Sequence, residues 1–124
     1  MRKELQTILF VRYPEMFKQG ETTCMSRGIC CGDGWFDLID VLCDRIQRRV
    51  EISPDVMCEV SQVKEKFGGL KFYISGGDEY IKGLINFAES MSYKICTECG
   101  GSSDNQAKRG WIYTLCENCC NVAA

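Results

Sequence analysis

Hydrophobic residues recur with the spacing of an α-helix in three separate stretches of the chain. The first stretch predicts a helix from about residue 3 to residue 11, which Pro14 should end. The second predicts a long helix after Gly32-Asp33-Gly34, with Asp33 as its N-terminal cap. The third follows Gly76-Gly77, where Asp78 can cap a helix. The buried face of the second helix is expected to carry Leu38, Ile39, Leu42, Cys43, Ile46 and Val50, and that of the third Ile81, Leu84, Ile85, Ala88 and Met91.

The pattern between the second and third helices is that of two β-strands. Gly68-Gly69, between Phe67 and Leu70, has the spacing of a two-residue hairpin turn, whereas residues 18–29 show no period and predict a loop. This turn pairs Phe67 with Leu70 and Lys66 with Lys71. One face of the hairpin is then apolar, with Val63, Phe67, Leu70, Phe72 and Ile74, and it also receives Glu65. The opposite face carries Lys64, Lys66, Lys71 and Tyr73.

The cysteines predict a metal site in the last quarter of the chain. Cys96 and Cys99 are separated by two residues, and so are Cys116 and Cys119, which is the spacing of a four-cysteine Zn²⁺ site. Four thiolates leave no open coordination position, so the zinc is expected to be structural. A redox role for either pair would need a βαβ context that is missing. Cys120 stays open as a substitute for Cys119.

These elements predict an α+β fold: helices plus a β-hairpin, with a C-terminal four-cysteine zinc ribbon. We expect an α+β domain over residues 1–94 and the ribbon over residues 95–124. Of the 124 residues, 45% are hydrophobic, which suffices for one modest core. The ribbon has too little core to fold unaided, so metal binding should supply its folding energy.

The overall charge restricts the partners. The formal net charge is -2, and four thiolates with one Zn²⁺ would change it to -4. Bulk electrostatics therefore disfavour nucleic acid, and an anion site must be a local patch. The sequence has no secretory signal and no apolar run of membrane length, so we expect a reduced cytoplasmic protein that does not contact membranes.

The lysine face of the hairpin is the candidate patch for an anion. Lys64, Lys66 and Lys71 with Tyr73 would suit a phosphate, a nucleotide or an acidic protein surface. The alternative is a solvated face whose charges discourage edge pairing. Glu65, on the apolar side, should pair with an arginine, lie at the rim of the sheet, or be a buried carboxylate of functional use.

The turn Cys31-Gly32-Asp33-Gly34-Trp35 supplies two further candidate binding residues. Asp33 and Trp35 could line a ligand site at the start of the second helix. A capping role for Asp33 and a core position for Trp35 are the simpler interpretations. A nucleic-acid contact at the ribbon tip would use Lys108, Arg109 and Trp111.

Catalytic chemistry has little support in the sequence. The chain contains no histidine, which excludes Ser/His and Cys/His nucleophilic arrangements. Asp55, Gln62 and Lys64 give a weak match to a Mg²⁺-dependent nuclease pattern in which Gln62 stands where an acid is usual. We therefore expect a non-enzymatic protein and keep a metal-dependent nuclease as a second alternative.

Three stretches followed by the four-cysteine segment resemble a family of small phage and prophage proteins, most of them uncharacterised. The stretches are Cys31-Gly-Asp-Gly-Trp35, Leu38-Ile-Asp40 with Leu42-Cys43, and Val63-Lys-Glu-Lys-Phe-Gly-Gly-Leu-Lys-Phe-Tyr73. The resemblance covers roughly residues 24–120, and the hairpin is its most specific part. It implies the cytoplasm of a bacterial host cell during infection or lysogeny.

By analogy with small acidic phage proteins, we expect a protein that inhibits or sequesters a component of host defence. An anti-CRISPR role is one form of this anti-defence function, and capture of a nucleotide signal is another. The expected partner is a host protein complex or an anionic ligand, and a homodimer is left open. The first alternative is a nucleic-acid-binding zinc-ribbon accessory protein.

Overall fold

The computed structural model describes residues 1–18, 28–108 and 111–123 of the chain. Four α-helices and five β-strands lie in these residues, and a one-turn 3₁₀ helix, Asp33–Trp35, leads into the second α-helix. The α+β fold class is therefore confirmed. The helices are α1 (Lys3–Arg12), α2 (Phe36–Ile52), α3 (Glu79–Ser92) and α4 (Glu117–Ala123), and the strands are β1 (Ile29–Cys30), β2 (Cys58–Lys66), β3 (Gly69–Gly76), β4 (Asp104–Lys108) and β5 (Trp111–Leu115).

Two small sheets organise the strands. The first has the order β1-β2-β3, in which β2 and β3 form the antiparallel hairpin and β1 runs parallel to β2. The second is the antiparallel pair β4-β5 beside the cysteines. Strand β1 is missing from the sequence prediction because two residues are too few to show a period. The rest of the predicted loop, residues 19–27, lies outside the described residues.

The core is shared by the first sheet, by helices α2 and α3, and by α1 with the turn that follows it. Ile39 and Ile46 of α2, Ile81 of α3, and Val60 and Val63 of β2 are all fully buried. Burial of each side chain of this size contributes about 1.5–3 kcal/mol relative to exposure. The helical period of α2 and α3 is therefore explained by one shared apolar layer.

The hairpin register differs from the predicted one. Lys66 pairs with Gly69 and Lys64 with Lys71, so the turn is Phe67-Gly68 and every predicted pair shifts by two residues. Phe67 and Gly68 have φ of 53° and 81°, which is typical of the type I′ turn that suits the twist of a hairpin. Gly69 is needed for space, because a Cβ there would lie 2.3 Å from the Tyr93 hydroxyl.

A shift of two residues keeps every side chain on its predicted face, since the side-chain period of a strand is two. Lys64, Lys66, Lys71 and Tyr73 therefore do share one face. The prediction for Phe67 is wrong: it lies in the turn, and 64% of it is exposed. The directly opposed like charges are Lys64 and Lys71, not Lys66 and Lys71.

Of the two predicted N-terminal helix caps, one is observed. Asp78 caps α3 as predicted, because its carboxylate accepts a 3.0 Å hydrogen bond from the Ile81 amide. The cap prediction for Asp33 is wrong. The chain enters α2 through the 3₁₀ turn, and the Asp33 carboxylate instead accepts a 2.8 Å bond from the backbone amide of Arg2, at the start of α1.

The buried face of α3 ends differently from the prediction. Met91 is 39% exposed, and Ser92 takes the buried position in the last turn. The Ser92 hydroxyl accepts a 2.9 Å hydrogen bond from the Leu70 amide, which ties α3 to β3. Within the described part of the chain, no helix combines the length and apolar character needed to cross a bilayer.

Replacing the charge of Asp78 should destabilise the fold in a pH-dependent way. The amide of Ile81, and also the Arg49 guanidinium at 2.9 Å, lower the pKa of Asp78 below its ordinary 3.8. A carboxyl whose pKa is lowered by folding contributes stability above its unfolded pKa and loses it as the pH falls through the folded pKa. We expect Asp78→Asn to lower the urea midpoint at pH 7, by a difference that shrinks as the pH falls below about 4.

The matched control is Asp55→Asn, because Asp55 is an exposed carboxylate in the turn after α2. It should leave the midpoint unchanged across the same pH range. An equal loss for Asp78→Asn at neutral and acidic pH would show that its charge is not the source of the stabilisation.

Candidate metal centre

The sulfur atoms of four cysteines converge near the C-terminus. The Sγ atoms of Cys96, Cys99, Cys116 and Cys119 all lie within 4.8 Å of one another, and those of Cys99 and Cys116 are 3.6 Å apart. A tetrahedral metal ion with metal–sulfur bonds of about 2.3 Å has sulfur–sulfur edges of about 3.8 Å. A disulfide would instead need about 2.05 Å. The cluster is therefore positioned to hold a metal ion.

Each cysteine pair is held by its own backbone turn. In the first pair, the Gly100 amide donates to the Cys96 carbonyl at 2.9 Å, and Gly100 takes φ of 78° to close the turn. In the second pair, Cys116 follows β5 and Cys119 lies in the first turns of α4, where its amide donates to the Cys116 sulfur at 3.4 Å. Cys120, one helical step further, is not part of the cluster.

The sulfurs hold protons unequally when no metal is bound. Burial acts to raise the pKa of Cys96, but the backbone amides of Cys116, Cys99 and Glu98 outweigh it and lower that pKa to about 6. The pKa of Cys119 is raised, mainly by its hydrogen bond with Cys116 and next by that with Cys96. Cys96 is thus readily a thiolate while Cys119 keeps its proton, and a bound cation would displace that proton.

The Cys31-Gly32-Asp33-Gly34-Trp35 turn docks directly on the first cysteine pair. The Gly34 amide donates to the Thr97 carbonyl at 2.8 Å, and the Trp35 indole nitrogen donates to the Ile95 carbonyl at 2.8 Å. A Cβ at Gly34 would lie 2.2 Å from the Cys96 carbonyl oxygen. The missing side chain at Gly34 therefore allows two backbone segments to touch.

This contact settles the position of Trp35. It is fully buried, so its ring is available to the core and to Ile95 but not to a ligand. Asp33 also has partners within the fold, since it accepts from the Arg2 amide and lies 3.7 Å from the Arg2 guanidinium. The simpler interpretation of the motif as structural is the one that these contacts favour.

The hairpin turn docks on the second cysteine pair through Thr114. The Thr114 hydroxyl donates a 2.6 Å hydrogen bond to the Gly68 carbonyl, and the Thr114 carbonyl accepts from the Thr97 amide at 2.9 Å. Thr114 is fully buried. Sequence reasoning misses it, because a threonine in a short strand gives no signal that separates a buried bridge from a solvated side chain.

The lysine face divides into a paired part and an unpaired part. Lys71 forms an ion pair with Glu89 of α3, and this hydrogen bond raises the pKa of Lys71. Lys64 places its Nζ 5.9 Å from the centre of the Tyr73 ring, and Lys66 places its Nζ 5.7 Å from that of Phe67. Glu89 offsets the repulsion between the opposed Lys64 and Lys71, and it leaves Lys64 and Lys66 as the cations that face solvent.

Glu65 is half-buried on β2, opposite Leu70, and it is close enough to the first cysteine turn to interact with the charge of Glu98. Burial, and then the charge of Glu98 in the first cysteine turn, raise the pKa of Glu65. No arginine of the described part of the chain pairs with it. Of the three sequence expectations, pairing with an arginine is therefore not observed in the described part of the chain, and the other two stay predictions.

The residues of the nuclease pattern are not brought together. Asp55 precedes β2, whereas Lys64 lies near its far end. The strand between Cys58 and Lys64 alone spans about 20 Å. Among the described residues, the four cysteines are the group of potential ligands close enough to hold a metal ion. Arg109 lies outside the described residues, and Trp111 is largely exposed on β5.

Comparison with known proteins gives no relative on which to base a function. No protein-family model, no curated protein and no solved structure matches this chain. The resemblance to small phage proteins stays an expectation, and the division of the chain at residue 95 stays a prediction. The functional argument therefore rests on the geometry of the chain itself.

The metal site predicts a clear difference between two adjacent cysteines. Cys119→Ser should abolish stoichiometric metal binding and lower the melting temperature sharply, because a closed four-sulfur site needs every ligand and metal binding supplies folding energy. Cys120→Ser should keep one metal per chain. Metal analysis of the purified proteins, with the sulfur-to-Co²⁺ absorption bands after cobalt substitution, measures this. Equal metal content in both variants would mean that Cys120 replaces Cys119.

The close packing at Gly34 predicts that one added methyl group will strongly destabilise the fold. Gly34→Ala should reduce the free energy of unfolding by more than about 2 kcal/mol, since the new Cβ meets a backbone carbonyl that cannot move without disturbing Cys96. The control is Gly83→Ala in α3, where a Cβ meets nothing within 4 Å and should stabilise the helix by up to about 1 kcal/mol. Urea denaturation of the metal-loaded proteins compares them, and similar midpoints would refute the close approach.

Proposed function

We propose that this chain is a non-enzymatic, structural-zinc protein that binds an acidic protein surface through the hairpin end formed by Lys64, Lys66, Phe67 and Tyr73. The exposed Phe67 is the observation that carries the proposal. Zinc is the metal that best suits a closed tetrahedral set of four thiolates, and such a site has no position left for chemistry. Its role here is to hold the hairpin end in place.

Phe67 destabilises the turn in which it lies, and its ring adds little to the core. A φ of 53° destabilises the folded state by roughly 1–2 kcal/mol for a residue with a Cβ. Type I′ turns therefore favour asparagine or glycine at this position. The Phe67 ring is 64% exposed, so core packing does not offset that strain. Exposed aromatic rings are frequent anchors of protein interfaces. An aromatic kept at a strained, solvent-facing turn is best explained as such an anchor.

The charges around Phe67 favour an acidic protein over nucleic acid. Lys64 and Lys66 form no ion pair within the described residues, and Lys71 is neutralised by Glu89. The two unpaired lysines of this face, on a chain of formal charge -2, are far fewer than the roughly 6–10 phosphate contacts of a typical nucleic-acid binder. Two cations beside an aromatic ring suit the rim and the centre of a protein interface.

A groove beside β3 could receive side chains of the partner. It has a volume of about 510 Å³ and is lined by Lys66, Phe67, Lys71, Tyr73, Ile85 and Glu89, among others. Its walls combine apolar rings with charged ends, which is the composition of an interface that recognises an apolar side chain next to a carboxylate. The groove therefore extends the contact from Phe67 along the strand.

The zinc centre supports this surface indirectly. The Thr114 hydroxyl holds the Gly68 carbonyl, and Thr114 is two residues from the ligand Cys116. A hairpin turn that is already fixed loses less conformational freedom on binding, which improves affinity without adding a contact. This is the functional reason for joining a metal site to the hairpin.

The finer proposal is an anti-defence role in a bacterial host cell. The resemblance to small phage and prophage proteins supports it, because such proteins commonly act by occupying host machinery, and a CRISPR effector is one candidate partner. A nucleic-acid-binding accessory role is the competing proposal. Its support is the exposed Trp111 on β5, which offers a ring for base stacking.

Replacing Phe67 should separate stability from binding. Phe67→Asn is expected to raise the free energy of unfolding by about 1 kcal/mol, since Asn-Gly is the preferred type I′ pair. The same change should weaken the partner complex by about 30-fold or more, the loss of a roughly 2 kcal/mol interface anchor. The partner is first captured from host lysate with the zinc-loaded chain, then purified and titrated by calorimetry. Met57→Asn, at another exposed apolar residue, is the control.

Three outcomes decide between the proposals. Loss of the partner with Phe67→Asn and with the double change Lys64→Glu, Lys66→Glu, but not with Met57→Asn, supports the protein-binding role. Salt-sensitive binding of DNA or RNA that is lost in Trp111→Ala supports the nucleic-acid role instead. Unchanged partner affinity in Phe67→Asn contradicts the hairpin surface.

A further inference from the structure

Helix α3 carries a second apolar stripe that faces solvent. Tyr80, Leu84, Phe87 and Met91 follow one another at intervals of four, three and four residues, the spacing of a coiled-coil seam. Tyr80, Phe87 and Met91 are 52%, 69% and 39% exposed, and Leu84 is half-buried. The core side of the helix is formed by Ile81, Ala88 and Ser92. Leu84 also packs against the core, whereas the exposed Phe87 and Met91 extend the apolar surface beyond the face that the fold uses.

Gly83 lies on the same side of the helix, one turn before Phe87. A Cβ built on Gly83 would meet nothing within 4 Å, so no internal contact requires a glycine here. A glycine in a helix interior is about 1 kcal/mol less favourable than alanine. The helix thus accepts a local cost that leaves a gap in its outer surface beside an exposed ring.

We propose that α3 pairs with α3 of a second copy of this chain, antiparallel about a twofold axis, with Phe87 of each copy in the gap at Gly83 of the other. A twofold interface requires that residue i contacts residue j and that j contacts i. A projecting ring and a gap one turn apart on one helix satisfy this requirement. In the same register Tyr80 lies level with Ser90 of the other copy, one residue from its Met91.

The charges and the exposed area agree with a second copy as the occupant. The four seam positions and Gly83 are uncharged, and the Arg49 guanidinium lies 4.9 Å from the centre of the Tyr80 ring at one end of the seam. In an antiparallel pair the two Tyr80 ends lie apart, so these arginines do not meet. The apolar patch ends beyond Tyr80, because charged side chains of α2 line the concavity there. The exposed parts of Tyr80, Phe87 and Met91 amount to on the order of 300–400 Å² per copy. A pair would then bury less than a standard interface of about 1,200–2,000 Å², which predicts a weak, reversible dimer.

The seam is separate from the hairpin end that the proposed function uses. It is formed by the outer face of α3, whereas Phe67 lies in the turn between β2 and β3. A dimer would present two hairpin ends, and a partner with two matching sites would gain avidity from them. The two proposals can therefore fail independently.

The test uses the zinc-loaded full chain in analytical ultracentrifugation over a wide concentration range. The wild-type chain should show a monomer–dimer equilibrium. Gly83→Lys and Phe87→Glu should each raise the dissociation constant of the dimer by at least about 10-fold, because each places a charge at both Phe87–Gly83 contacts of the interface. Gly83→Lys should also raise the melting temperature of the monomer, since lysine is a better helix former than glycine.

Mixing the two variants tests the reciprocal contact. In the mixed dimer, the introduced lysine of one chain would face the introduced glutamate of the other while the second contact stays native. The mixture of Gly83→Lys with Phe87→Glu should therefore dimerise more strongly than either variant alone. A wild-type chain that stays monomeric at millimolar concentration overturns the proposal. So does a dimer that survives both changes, or one that is lost in Phe67→Asn. Unchanged partner binding in Phe87→Glu separates this result from the proposed function.

Discussion

Closure of the four-sulfur cluster is the constraint on which the rest of the structure depends. It brings residues 96–99 and 116–119 together, and the backbone between and beside them supplies the carbonyls that Gly34 and Trp35 bind. The start of α2 is thereby fixed to the metal centre, and α2 carries much of the core. The cluster therefore acts on the whole fold, although its ligands span only the last quarter of the sequence. A segment of this size lacks the apolar area to achieve that by burial alone.

The same constraint reaches the hairpin from the opposite side. Thr114 hydrogen-bonds the Gly68 carbonyl, and Tyr93 packs over Gly69, so the turn is enclosed between β5 and the end of α3. Enclosure explains why a phenylalanine can be held at positive φ, since the neighbouring backbone is fixed by contacts that Phe67 does not make. The metal centre, the docked glycine turn and the hairpin end form one connected structure. A bound zinc would contribute to the position of every exposed group near Phe67.

The sequence is sufficient to predict the periodic elements and the ligand set. The cysteine spacing identifies the four clustered sulfurs, and the apolar periods identify α2 and α3, because these signals are local. The predicted hairpin turn, Gly68-Gly69, lies one residue later than the observed turn, Phe67-Gly68. Gly69 suggests a turn in the sequence, but in the structure it makes room for Tyr93, a residue far along the chain. The cap prediction for Asp33 fails for the same reason, as its partner is Arg2. Thr114 and the two-residue strand β1 have no local signal. Long-range contacts, not propensities, decide each of these positions.

At two positions, no contact within the described part of the chain requires the residue type that is found there. Phe67 adopts a backbone angle that favours glycine, and its ring is left in solvent. Gly83 interrupts a helix where alanine would be more favourable, and the space beside it is empty. Gly34 differs from these two residues, because the Cys96 carbonyl occupies the space that a side chain at Gly34 would need. At Gly34 the unfavourable residue type is explained by a contact within the fold. At Phe67 and Gly83 no such contact is seen, so we infer that a binding partner explains the residue type. Both unexplained positions lie on elements fixed by the core or by the metal centre, which is where a binding surface keeps its shape.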